Sequence, residues 1–152
     1  MENTMNELER LLKNELENTL QVRLFDLVES ATKVSFIIDS ISELFIEIEE
    51  DGVTVFYFNE HEEFWLSTYK NADECIRAAS QLVVLLLQNT IMIEYVYARE
   101  TLISYKIWTI DKLQKRKQLL KSVSTSMNFF LKLCSKFKVH KELNFKNQWP
   151  YR

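Results

Sequence analysis

One glycine in 152 residues, Gly52, limits this chain more than any other feature of its sequence. Phosphate-cradling loops, dinucleotide fingerprints and nucleophile elbows each need several glycines, because backbone there approaches a ligand closely or takes positive φ. Those enzyme classes are nearly excluded. At about 150 residues a chain is most simply one domain, here 1–152, able to bury roughly 70% of its unfolded surface without disulfides or metal staples. Two cysteines, Cys75 and Cys134, make no disulfide framework, which points to a reducing compartment. The amino terminus MENTMNELERLL carries acids where a signal peptide carries a basic region and an apolar one. The longest apolar run, Leu82 to Leu87, is far short of the ~20 residues that span a bilayer. The expectation is a soluble, cytoplasmic protein that does not engage membranes.

Hydrophobic spacing then divides the chain. Met5, Leu8, Leu12, Leu16 and Leu20 recur at helical intervals and predict a helix over about 4–20. Leu24, Leu27, Val28 and Ala31 continue that stripe to about residue 30, although Val22, Leu24 and Phe25 could equally begin an extended segment. Val34, Phe36 and Ile38, then Leu44, Ile46 and Ile48, alternate as strands do. Asp51-Gly52 between that strand and Val53 to Phe58 predicts a hairpin whose turn positions both take positive φ. Asn59 to Glu63 reads as a polar connection and Phe64 to Tyr69 as a strand. Asn71 with Glu74 resembles a capping box opening a helix that Asn89 ends. Ile91 to Tyr97 and Leu102 to Ile110 form a second hairpin, and Asp111 caps a long helix with the stripe Leu113, Leu120, Val123, Met127, Phe130, Leu131, Cys134 and Phe137. The predicted fold is α+β: a mainly antiparallel sheet of about five to six strands with an N-terminal helix, a central helix and a long C-terminal helix, and an irregular tail from about residue 139.

No constellation of catalytic or metal-binding groups stands out. His61-Glu62-Glu63 resembles half of a zinc-protease motif, but Trp65 occupies the position of the second histidine, and His140 is distant in sequence. Cys75 and Cys134 lack C-x-x-C spacing and fit core packing better than chemistry. The expectation is a protein that is no enzyme and holds no metal or cofactor.

Charge is more informative. Residues 1–100 hold 7 Lys/Arg against 20 Asp/Glu, whereas residues 101–152 hold 12 against 2. Between Lys33 and Lys70 there is no basic residue, so this block projects a negative field suited to steering a basic partner. The candidate partner-binding residues are Glu47, Glu49, Glu50, Asp51, Glu60, Glu62 and Glu63, with Tyr57 and Trp65 as aromatic anchors. The same acids could instead be a solvated face or protect an edge strand. Lys112, Lys115, Arg116, Lys117 and Lys121 cluster at the start of the expected C-terminal helix; they could bind nucleic acid or serve the acidic half of their own fold, and a pI near 5.5 favours the second.

The stretch from Glu43 to Lys112 reads ELFIEIEEDGVTVFYF, NEHEEFWLSTYKNADECIRAASQLVVLLL and IMIEYVYARETLISYKIW. Its order of hairpin, short acidic strand, single helix and closing hairpin resembles small immunity proteins of bacterial polymorphic and contact-dependent toxin systems. The resemblance implies a non-enzymatic protein that binds one cognate toxin domain, often a basic nuclease, and blocks its active site or substrate channel. The rival expectation is a regulatory or scaffold protein that self-associates through an exposed sheet face or the C-terminal helix.

Overall fold

Met5, Leu8, Leu12 and Leu16 are buried along α1 (Glu2–Lys13) and the π-helical stretch that continues it, Asn14–Thr19. Leucines four residues apart drift ahead of a 3.6-residue turn, and the wider π turn returns Leu16 to the buried face. Gln21 then takes a left-handed φ of 56°, a common way for a helix to stop. The expected continuation to about residue 30 is therefore corrected: Leu24–Glu29 is strand β1. With the helix broken at Gln21, the backbone groups beyond it are satisfied by pairing with β2 (Val34–Ile38). The computed structural model describes residues 2–29, 33–38, 41–111, 114, 116–124 and 136–143. Contacts divide the chain into two compact units, Met1–Val84 and Leu85–Arg152.

In the first unit, β3 (Ile41–Glu49), β4 (Gly52–Tyr57) and β5 (Glu60–Trp65) complete an antiparallel sheet in the order β1-β2-β3-β4-β5. Period-two alternation sends Leu44, Ile46, Ile48, Val53, Val55 and Tyr57 to a single buried face. α1 packs against β3, and the Lys13 ammonium lies 5.2 Å from the ring centroid of buried Phe36.

The hairpin between β3 and β4 is present, but its turn is not the expected one. Glu49 pairs with Gly52, so Glu50 and Asp51 make the turn, and Gly52 has no positive φ. Its need for glycine comes from elsewhere. A Cβ at this position would overlap the carbonyl oxygen of Phe64 on β5 and lie 3.2 Å from the Trp65 Cα. Positive φ instead falls on Phe58 (58°) and Arg99 (55°), the first residues of the two-residue turns that follow β4 and β6. That sign pattern matches a type II′ turn.

Asn59 to Glu63 is likewise corrected. Glu60 to Trp65 pair with β4 from Tyr57 back to Gly52, and Leu66–Thr68 is a 3₁₀ turn. A two-residue turn at Phe58-Asn59 leaves no room for a polar loop, so the acids enter the sheet.

The central helix α2 (Ala72–Gln88) starts as its sequence predicts. The Asn71 side chain accepts from the Glu74 N–H at 2.9 Å, and the Glu74 carboxylate accepts from the Lys70 N–H at 3.3 Å.

The second unit holds a four-stranded antiparallel sheet, β8-β7-β6-β9, built from β6 (Thr90–Ala98), β7 (Thr101–Asp111), β8 (Arg116–Ser124) and β9 (Lys136–Leu143). The predicted fold needs correction here: there are two sheets, of five and four strands, and no long C-terminal helix among the described residues. Arg116 to Ser124 pair with the 11-residue strand β7, whose outer edge would otherwise carry unpaired backbone groups. Residues 139–143, expected to be irregular, pair with β6. Lys112, Leu113, Lys115, Met127, Phe130, Leu131 and Cys134 lie outside the described residues. No helix among those described is long and apolar enough to cross a membrane.

Candidate functional site

Strand register sorts the acidic block. Residues opposite one another share a face, so one row of the outer face of the first sheet runs Phe25, Ile37, Phe45, Phe56, His61 across all five strands. The next runs Ser35, Glu47, Thr54, Glu63, and the next Glu49, Gly52, Trp65. The first row is an aromatic ridge: the Phe45 and Phe56 rings stack at 4.6 Å and 4°, and His61 stands 5.5 Å from Phe56. Phe25 and Trp65 are 44% and 41% exposed. Carboxylates therefore border an apolar strip, the composition expected of a patch that binds protein.

The nine candidate residues do not all converge on this strip. Glu47, Glu49, Glu63 and Trp65 belong to it. Glu50 and Asp51 form the turn at its end. Tyr57, Glu60 and Glu62 fall on the opposite face, where Tyr57 is fully buried and its hydroxyl donates to Glu62 Oε1 at 3.4 Å. Tyr57 is thus a core residue and no surface anchor. Glu47 is engaged as well: Lys33 Nζ donates to its Oε1 at 2.8 Å, and this bond raises the Lys33 pKa. Sequence reasoning missed Phe25, Phe45 and Phe56, whose positions at period two opposite the buried residues were the available signal.

No protein family, curated protein or solved structure matches this chain. Its site rests on its own geometry.

Other candidate chemistry resolves into packing. Cys75 is fully buried, and its thiol donates to the Phe64 carbonyl at 3.2 Å. Burial pushes the thiol from 9.0 up to about 11, so it is protonated and inert at neutral pH. The folded pKa is the higher one, so this contribution to stability is complete below about pH 9 and is lost as pH rises through 11, amounting to about 2–3 kcal/mol. Cys75→Ala is expected to cost about 1 kcal/mol at pH 7 and to flatten that alkaline loss, as urea midpoints from pH 7 to 11 would show. A parallel loss in both proteins would exclude Cys75 as its source. His61 lies 3.5 Å from Glu63, and no group of three metal-binding side chains occurs among the described residues.

In the second unit Lys106, Lys117 and Lys138 contact side chains of their own sheet. Lys117 Nζ lies 4.1 Å above the Trp108 ring and Lys106 Nζ 5.9 Å from it. Glu94, buried on β6, accepts from Lys138 Nζ at 3.2 Å and faces His140 Nε2 at 3.3 Å, both on β9. Burial acts to raise the Glu94 pKa, but the hydrogen bond and charge of Lys138, then those of His140, outweigh it and hold the carboxyl below its ordinary value.

Proposed function

We propose that this chain is a non-enzymatic binding protein of the cytoplasm, an immunity protein that neutralises a cognate toxin domain by covering its basic active site or substrate channel. The observation that carries the reading is the outer face of the five-stranded sheet, where Glu49 and Glu63 flank exposed Trp65 and the Phe45–Phe56 stack. Acids at the rim accelerate encounter with a basic surface, and an aromatic side chain at the centre supplies most of the holding energy. A nuclease domain presents such a basic surface to its substrate.

The first test is genomic: a neighbouring reading frame for a large secreted protein with a toxin-like end supports the reading, and its absence speaks against it. With that toxin domain in hand, Glu49→Lys with Glu63→Lys should slow association about tenfold or more at low salt and flatten its salt dependence. Trp65→Ala should act on dissociation instead, by about 2 kcal/mol. Stopped-flow association at two salt concentrations reads both. Unchanged rate constants in the double variant would remove the acidic face from the interface.

A further inference from the structure

β9 is an outer strand of the second sheet, and among the described residues it is paired on one side only, by β6. Every residue from Lys136 to Lys141 is exposed. Alternation divides them between two faces. Lys136, Lys138 and His140 lie on the face of Glu94, where Lys138 gives one of its three donors to that carboxylate. Phe137 and Val139 lie on the other face, opposite Tyr97 and Tyr95, and are 49% and 45% exposed. Lysine on an edge strand is a usual guard against pairing, whereas large apolar side chains exposed beside it invite pairing. These lysines repel a second β9 and any other basic segment, and they attract an acidic one.

We propose that the outer edge of β9 is a docking site for an extended segment of a partner protein in which carboxylates alternate with apolar side chains, and that this segment adds to the second sheet as a fifth strand. Every second residue of an edge strand turns its N–H and C=O outward, and main-chain bonds to such a row supply affinity while alternate side chains supply specificity. Acids at every second position of the incoming strand meet Lys136 and Lys138 on one face. The apolar side chains between them cover Phe137 and Val139 on the other. Charge complementarity extends beyond the strand, because residues 85–152 hold 13 Lys/Arg against 4 Asp/Glu, and an acidic segment enters that field favourably. A nucleic acid would meet the same lysines, but it cannot complete a β-ladder, and cations alternating with apolar side chains match the period of a strand. The inference does not rest on the toxin reading, which concerns acids and aromatic rings of the first sheet.

Fluorescence anisotropy of a labelled eight-residue peptide alternating Glu with Val, titrated with the full chain at low and high salt, tests it. The expected result is saturable binding that weakens with salt, and binding about tenfold weaker for a peptide of the same composition with its acids placed together. Methylating the backbone nitrogen of every Glu, or of every Val, blocks one edge of the peptide or the other, so one of the two should bind about tenfold or more weakly than the parent. That comparison uses the unaltered protein and does not depend on a variant folding. Lys136→Glu should weaken binding about tenfold at low salt; Lys138 is left intact because it serves Glu94. A single-stranded thymidine oligonucleotide should not displace the peptide. Absence of binding, equal affinity for the clustered peptide, tolerance of both methylated peptides, unchanged affinity in Lys136→Glu, or displacement by the oligonucleotide would each overturn the proposal.

Discussion

Gly52→Ala is expected to lower stability by about 2 kcal/mol, within the ~1–3 kcal/mol range of an overfilled site. The added methyl would overlap the Phe64 carbonyl oxygen, which is backbone and cannot swing aside. That carbonyl also accepts the Cys75 thiol, so moving it disturbs the contact between β5 and α2. Two further substitutions isolate the cause. If glycine served a left-handed turn, Gly52→Asn would be the mildest replacement, because asparagine tolerates positive φ. Since the cause is close approach, Gly52→Asn should be worse than Gly52→Ala, and Asp51→Ala, in the turn itself, should cost well under 1 kcal/mol, as exposed substitutions do. Urea midpoints of the three variants provide the ranking. An asparagine variant more stable than the alanine variant would return the glycine to a turn role.

This residue also shows what a sequence can and cannot convey. Asp51-Gly52 marks the right hairpin for the wrong reason, because the constraint on Gly52 comes from Phe64, twelve positions away, through a pairing that only the folded sheet creates. The strands from Val34 to Tyr57 are legible because their buried residues alternate without interruption. β9 was equally open to reading: Phe137 and Val139 alternate with Lys136, Lys138 and His140. Helical spacing through Phe130, Cys134 and Phe137 competes with that alternation, and local pattern alone cannot choose between the two. β1 and β8 depend on tertiary pairing, with β2 and β7, which outweighs local propensity.

The candidate site was legible as composition and not as geometry. An acidic block with aromatic neighbours is visible in one dimension. Which acids share a face is decided by where β5 begins, and a one-residue difference exchanges the two faces. Reading Glu60 to Glu63 as a loop hid the alternation that sends His61 and Glu63 outward and Glu62 toward Tyr57. Once register is known, Phe45 and Phe56 join the site and Tyr57 leaves it.

Lys138→Met is expected to cost about 2 kcal/mol near neutral pH, in keeping with loss of a hydrogen bond to a charged group. The asymmetry of burial is the reason. The Glu94 side chain is 12% exposed whereas Lys138 and His140 are 59% and 53% exposed, so removing the lysine strands a buried carboxylate against the imidazole, while removing the carboxylate leaves an exposed lysine and an exposed imidazole that water can solvate. Glu94→Gln should therefore cost less, about 1 kcal/mol. The pH dependence follows from the lowered pKa of Glu94. Its contribution is present above the ordinary carboxylate value of 4.5 and is lost as pH falls through the lower folded value. In Lys138→Met only His140 is left to oppose burial, the Glu94 pKa rises, and acidification should destabilise the variant less than the wild type. Urea midpoints at pH 7 and pH 4 test both statements. If Lys138→Met matches the wild type at pH 7, the pair across β6 and β9 contributes nothing, and backbone pairing with Phe137 stacked on Tyr97 at 5.3 Å suffices to hold the edge strand.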